Sequence, residues 1–161
     1  MSVNKYQPHL IVLPEDDANR QIVNGFLNNL SINIQAIQIL PEACGWKNVA
    51  EKFAKDHISA MRSFPKRRIA LVIDFDDNLA RIDYMKQYIP DDLKDRVFIL
   101  GVLSEPEQLR KATQNSLEAI GERLSSKCPN DTDQLWQHEM LRHNEEELER
   151  IAAAVNSFLF Q

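Results

Sequence analysis

An apolar segment of the sequence ends in closely spaced carboxylates, the side chains that hold divalent cations and exchange protons. Residues 68–73 run directly into Asp74, Asp76 and Asp77. Carboxylates packed together repel one another, and a proton or a divalent cation relieves that repulsion. In an extended chain Asp74 and Asp76 point to one face while Phe75 points to the other. The pattern therefore predicts a Mg²⁺ (or Mn²⁺) site, because these cations take oxygen ligands and keep several waters.

A second apolar segment, residues 9–13, leads to three further acids. They are Glu15, Asp16 and Asp17. Asp16 or Asp17 is also suited to cap the helix that follows, because a carboxylate accepts backbone N–H bonds at a helix N-terminus without any metal. Both uses of this acidic pair stay open at the level of sequence.

The remaining candidate side chains follow two other apolar segments. Glu42, Lys47 and Asn48 come after the second segment along the chain, and Ser104, Glu105 and Glu107 come after the fourth. Ser104 and Glu107 have the spacing of a capping box, which predicts a helix start there.

Alternation of strand and helix patterns predicts the fold class. The predicted strands are residues 9–13, 32–40, 68–73 and 96–100, and helical patterns cover residues 22–27, 49–64, 79–88, 109–124 and 141–159. This order favours an α/β fold with a Rossmann-like parallel four-stranded sheet, flanked by helices and followed by two extra C-terminal helices. Ligands of such sheets bind beyond the carboxyl ends of the strands, so the polar residues above are expected at one edge.

Length and composition indicate one globular domain, residues 1–161. Hydrophobic residues make up 43% of the chain, and 19 basic against 24 acidic residues give a net charge of −5. A chain of this charge does not bind nucleic acid by bulk attraction, so a phosphate partner needs a local patch or a metal.

No feature of the sequence predicts export or a membrane. The longest apolar runs are far too short to span a bilayer, and the N-terminus lacks a signal-peptide pattern. Cys44 and Cys128 are too few for a disulfide framework or a four-ligand zinc site. The expectation is a reduced, cytoplasmic protein.

Three features occur in the order found in a known family. They are Glu15 after the first strand, the turn at residues 45–48 after the second, and Asp74 with Asp76 after the third. In this respect residues 8–103 resemble the Toprim domain, the magnesium-binding module of topoisomerases, bacterial primases and OLD-type nucleases. Residues 104–161 would then be a C-terminal helical extension.

The resemblance implies nuclease-like, metal-dependent phosphoryl chemistry on nucleic acid. Asp74 and Asp76 would hold Mg²⁺, and Glu15 would act as general acid/base or as a further ligand. Lys47 and Asn48 would contact a phosphate. The accessory residues would be Asp16, Asp77, Ser104 and Glu105.

Two other interpretations stay open. Residues 12–17 also resemble the first strand and following acidic pair of a response-regulator receiver. Asp74 would then accept a phosphoryl group, and Ser104 would be the switch hydroxyl. Alternatively, the chain is a non-enzymatic interaction module. The apolar stripe of the terminal helix would then supply a homodimer face, unless it packs on its own sheet.

The remaining candidate side chains give weaker predictions. The basic residues at 62 and 66–68 are expected at the amino edge of the sheet, which leaves Lys47 as the predicted cation near the acids. Trp46 would stack on a base or pack in the core. His138 and His143 are five residues apart and share no helix face, which favours structural or surface roles.

Overall fold

The computed structural model describes residues 2–126 and 135–160 and contains a four-stranded, all-parallel sheet flanked by helices. The strand order is β2-β1-β3-β4, so the predicted α/β Rossmann-like class is confirmed. The loop expected around Cys128 lies outside the described residues. The strands are β1 (His9–Pro14), β2 (Ile37–Ile39), β3 (Arg67–Val72) and β4 (Val97–Leu100).

The centre of the sheet is the β1/β3 pair, in which Leu10 lies opposite Arg68 and Val12 opposite Ala70. Both strands are nearly continuous apolar runs, as expected of parallel strands covered on two faces. The chain goes from β1 outward to β2 and then crosses back to β3. The gap beyond the carboxyl ends of β1 and β3 is therefore the topological switch point, where such sheets bind ligands.

Helices cover both faces of the sheet. They are α1 (Asp17–Phe26), α2 (Trp46–Lys52), α3 (Ile58–Ser63), α4 (Ala80–Lys86), α5 (Pro106–Thr113), α6 (Leu117–Ser126) and α7 (Glu145–Leu159). One core contains side chains of α2 to α4, including Val49, Met61 and Met85. Among the described residues, no helix has the length and apolar character needed to cross a bilayer.

The apolar stripe of α7 is buried within the chain itself. Ile151, Val155 and Leu159 pack in a cluster with Leu10 of β1 and Phe98 of β4. The stripe therefore covers the second face of the sheet. This is the alternative in which α7 packs on its own sheet and does not form a homodimer face.

The helix α6 crosses α1 at van der Waals distance through two glycines. A Cβ atom placed on Gly121 would lie 1.9 Å from the Ile22 carbonyl oxygen, and one on Gly25 would lie 1.9 Å from the Glu118 carbonyl oxygen. Only glycine permits this approach of the two backbones. The C-terminal helices thus pack directly on the residues 8–103 core.

Several predicted boundaries were wrong. The second strand covers only Ile37–Ile39, because a 3₁₀ turn at Ile34–Ala36 precedes it and Ile32 instead bridges Phe160. The helix over residues 49–64 contains a π-helical turn, Phe53–His57, between α2 and α3. Each strand or helix still has the predicted type.

The long helix predicted after β4 is two helices. Gln114 adopts a left-handed conformation with φ 55°, which ends α5 before α6 begins. The predicted capping box does not form either. Glu105 is the N-cap residue without a side-chain cap bond, and Glu107 pairs with Arg110 at 2.9 Å. Pro106 at the first helical position starts α5, because its fixed φ suits a helix and its missing N–H needs no partner there.

Candidate functional site

The ends of β1 and β3 bring two of the predicted site residues into direct contact. A carboxylate oxygen of Glu15, Oε2, accepts a hydrogen bond from the Asp74 backbone N–H at 2.6 Å. The Glu15 backbone N–H in turn donates to the Val72 carbonyl at 2.8 Å. Glu15 is only 9% exposed. The two acids are therefore fixed to each other by backbone bonds at the switch point.

A third element, α1, adds Asn19, which sequence reasoning missed. This side chain is 1% exposed, and its Nδ2 donates to Asp16 at 2.9 Å and to Asp74 at 2.8 Å. Asp16 also caps α1 by accepting from the Asn19 backbone N–H. Asp16 thus serves as a helix cap and as a neighbour of Asp74 at once. The available signal was the spacing of three residues between Asp16 and a polar residue in the first helical turn.

The electrostatics of this pocket disfavour negative charge. Burial raises the pKa of Asp74 to about 7, with the charges of Asp16, Glu15 and Glu105 adding to the effect and the Asn19 bond opposing it. Burial also raises the pKa of Glu15, although the Asp74 backbone N–H favours its charged form. Protonation of Asp74 is therefore favoured to a much higher pH than that of an ordinary aspartate, and a cation would stabilise its ionised form.

Asp76 does not share the environment of Asp74. β3 ends at Val72, and Asp76 and Asp77 adopt left-handed conformations with φ of 50° and 58°. The expectation that alternation along a strand orients Asp74 and Asp76 alike was therefore wrong. The Asp76 carboxylate is 74% exposed and lies 3.4 Å from the Arg81 guanidinium.

Arg81 is a site cation that the sequence analysis missed. It donates to the Asp74 carbonyl at 2.7 Å, and its guanidinium lies 4.6 Å from the centre of the Trp46 ring. The expectation that Lys47 is the cation near the acids was thus incomplete. α4 begins at Ala80, so its first turn carries Arg81 back over the end of β3.

The turn after β2 attaches to the end of β1. The Glu15 carbonyl accepts backbone bonds from Cys44 at 2.7 Å and Gly45 at 3.3 Å, and Gly45 has the φ of 134° that glycine adopts readily. The Asn48 amide donates to the Cys44 carbonyl at 2.9 Å, so it closes this turn. Lys47 is exposed, and its ammonium lies over aromatic rings.

Three of the four predicted accessory residues, Asp77, Ser104 and Glu105, line a cleft of about 560 Å³ beside the acidic pocket, and the fourth, Asp16, does not. Asp76 and Asp77 fix one wall, because their backbone N–H groups donate to the Ser104 and Leu103 carbonyls. The Ser104 hydroxyl contacts the Met140 sulfur at 3.7 Å. The polar lining residues are Asp76, Asp77, Ser104, Glu105, Gln108, Glu139 and Arg142.

The remaining predicted residues lie away from the acids or pack in the core. Glu42 forms an ion pair with Arg20 at 3.2 Å. At the amino edge Arg67 donates to His9 at 2.9 Å. His143 packs edge-on against Phe75 with ring centres 5.0 Å apart, and burial lowers its pKa. His138 accepts from the Met140 backbone N–H through Nδ1 at 3.1 Å.

The donor set suits a cation that needs few protein ligands. In the described part of the chain, no three His, Cys, Asp or Glu side chains are arranged to hold a metal ion. Magnesium is usually held by one or two carboxylates together with waters and substrate phosphates. Glu15 and Asp74 carry oxygen atoms of the type that Mg²⁺ prefers, and burial raises the pKa of both carboxyl groups.

No protein-family model, curated protein or solved structure matches this chain.

Proposed function

We propose that the chain carries a Toprim-like, divalent-cation-dependent phosphoryl-transfer centre that acts on nucleic-acid phosphates. The observation that carries this proposal is the contact of Glu15 with the Asp74 backbone at the switch point, 2.6 Å long and largely buried. Burial and neighbouring acids raise the pKa of Asp74 to about 7. A bound cation would stabilise the ionised form of such a pair.

Asp74 and Glu15 would hold Mg²⁺ or Mn²⁺. When bound, the cation neutralises phosphate charge and orients the attacking water or the leaving oxygen. Asn19 orients the Asp74 carboxylate through its 2.8 Å bond. Asp76 would be a further ligand of the cation, on the side of the cleft. Its carboxylate is exposed, so it can leave the Arg81 guanidinium and bind water or the cation instead.

The other charged groups would act on substrate and protons. Burial raises the pKa of Glu15, and this shift favours a role in exchanging a proton with the reacting oxygen. Lys47 and Arg81 would contact phosphate oxygens. Asn48 closes the turn that presents Lys47.

The first test is the melting temperature during a magnesium or manganese titration. We expect both cations to raise the melting temperature of the wild type by about 5 °C at saturating concentration, because a ligand of the folded state stabilises it by mass action. Asp74→Asn should show no rise. The control is Asp95→Asn, an exposed aspartate at the amino edge, which should respond as the wild type does. An equal rise in Asp74→Asn would contradict a cation site at this residue.

The second test separates the proton-transfer role of Glu15 from cation binding. We expect Glu15→Gln to reduce but not abolish the cation-induced rise in melting temperature, because Asp74 remains as a ligand. Any nicking of supercoiled plasmid or of single strands should fall by at least about 100-fold. Glu51→Gln, on the exposed side of α2, is the matched control and should nick normally. Nicking by Glu15→Gln at the wild-type rate would remove the acid/base role.

A phosphoacceptor role of Asp74 is the second candidate. Its position beyond a central parallel strand, with Glu15 and Asp16 beside it, favours this chemistry. Incubation with acetyl phosphate would then transfer the phosphoryl group to an Asp74 carboxylate oxygen and release acetate. Intact-mass measurement of the wild type and of Asp74→Asn detects the added group. An adduct in the wild type alone would favour the receiver-like role over hydrolysis of nucleic acid.

A further inference from the structure

Two aromatic rings meet at the carboxyl edge, next to the acidic pocket. Trp46 begins α2 and Tyr84 lies on α4, and their ring centres are 4.8 Å apart in an edge-to-face contact. The Tyr88 hydroxyl lies 3.1 Å from that of Tyr84. All three rings are partly exposed and rest on the core beneath. The structure thus presents aromatic surface to solvent beside Asp74.

Two cations lie against this pair of rings, one over Trp46 alone and one over both. Arg81 lies 4.6 Å from the Trp46 ring centre and bonds the Asp74 carbonyl, so one side chain connects the rings to the acidic pocket. The Lys47 ammonium lies 5.6 Å from the centre of Trp46 and 5.7 Å from that of Tyr84. Within residues 2–126 and 135–160, Lys47 forms no ion pair with a carboxylate.

The side chains of the two cations are held to different extents. Three contacts hold Arg81, whose side chain is 15% exposed. Lys47 is exposed, and its distances to both rings are close to the limit of about 6 Å for cation–π attraction. The Lys47 ammonium can therefore move to a phosphate and uncover the rings at little energetic cost.

Aromatic rings with adjacent cations are the features that bind unpaired nucleic-acid strands, because a ring stacks on a base and a cation contacts the backbone. A duplex hides the faces of its bases within the helical stack, so this surface discriminates against it. We propose that Trp46 and Tyr84, together with Lys47 and Arg81, bind a base and a phosphate of single-stranded nucleic acid beside the acidic centre. This inference rests on the proposed function and names its substrate class.

The test measures filter binding of a radiolabelled 15-nucleotide oligothymidine and of a duplex of the same length. The buffer contains EDTA, which removes divalent metal ions and so prevents cleavage. The Lys47 and Arg81 side chains are unaffected by EDTA. We expect the wild type to bind the single strand at least about 10-fold tighter than the duplex. Trp46→Leu and Tyr84→Leu should each weaken that binding by about 5- to 100-fold, the range measured for loss of one stacked base.

A control variant and a further test variant accompany the two aromatic substitutions. Tyr6→Leu removes a tyrosine that is 76% exposed near the amino edge and should leave binding unchanged. Lys47→Ala should lower the slope of log Kd against log salt concentration by about 0.7, the value for one lost contact to a single-strand phosphate. Since Lys47 is exposed, this variant also tests the proposal if an aromatic variant fails to fold.

The outcomes separate this inference from the proposed function. Equal affinity for single strand and duplex, or wild-type affinity in both aromatic variants with a wild-type salt slope in Lys47→Ala, would overturn the stacking surface. Cation-dependent nicking with unchanged KM in Trp46→Leu would uphold the proposed function alone. Single-strand binding that depends on Trp46, without any nicking, would uphold the stacking surface alone.

Discussion

At the scale of single residues, the acidic centre depends on partners that sequence patterns do not reveal. The apolar runs ending in acids were sufficient to predict that Glu15 and Asp74 meet, because parallel strands place their carboxyl ends at one edge. The contacts of Asn19 and Arg81 with Asp74 were not predictable, although the spacing of Asn19 from Asp16 was a signal for the helix cap. Each is an ordinary polar residue in the first turn of a helix, and it reaches Asp74 only through the direction in which that helix leaves the sheet.

The ionisation of Asp74 gives a prediction about stability and pH. Its pKa is about 7 in the folded protein and ordinarily 3.8, so the folded state binds the proton more tightly than the unfolded state. The stability that protonation supplies is complete below about pH 4 and is lost as the pH rises through about 7. We expect Asp74→Asn to gain about 2 kcal/mol relative to the wild type between pH 5 and pH 8, after allowing for solvent screening of a half-buried group.

Urea unfolding at both pH values measures this difference. Burial lowers the pKa of His9, His57 and His143, which makes the wild type less stable as the pH falls below about 6.5. These histidines are present in both proteins, so their contribution cancels in the comparison. Asp95→Asn should follow the wild type. Parallel pH curves for the wild type and Asp74→Asn would refute the raised pKa.

At the scale of helices and strands, periodicity gave the types correctly and several boundaries wrongly. The 109–124 pattern is a single apolar face, and only the left-handed Gln114 separates α5 from α6. No composition rule marks a glutamine as a helix end. The strand over residues 32–40 was overestimated for a related reason, because β-branched residues in a 3₁₀ turn have the same composition as a strand.

The crossing of α1 and α6 gives a prediction at this scale. Alanine in a helix is ordinarily about 1 kcal/mol more favourable than glycine. At Gly121, however, the added methyl would lie 1.9 Å from the Ile22 carbonyl oxygen, so the two backbones must separate. We expect Gly121→Ala to lower the free energy of unfolding by about 1–3 kcal/mol.

Chemical unfolding of Gly121→Ala checks this against Glu118→Ala, an exposed position on the same helix. That control should change stability by less than about 0.5 kcal/mol. A stabilised Gly121→Ala would mean that the two helices do not approach this closely.

At the scale of the whole molecule, chain order predicted the parallel sheet, whereas the positions of the C-terminal helices required the structure. Residues 104–161 were predicted to be an extension because a helical pattern does not indicate where in the fold the helix packs. In the fold α7 covers β1 and β4 with Ile151 and Val155, and α6 packs on α1. Residues 8–103 alone would therefore leave this face of the sheet covered only by α1.

The position of Trp46 has an optical consequence. The chain has two tryptophans, and Trp136 packs in a different apolar cluster from Trp46, where its indole N–H donates to the Leu124 carbonyl. Replacing Trp136 with phenylalanine would leave one indole, which touches Arg81 and lies one side chain from Asp74. The intrinsic emission of that indole would then report directly, and without any attached dye, on what enters or leaves the acidic pocket.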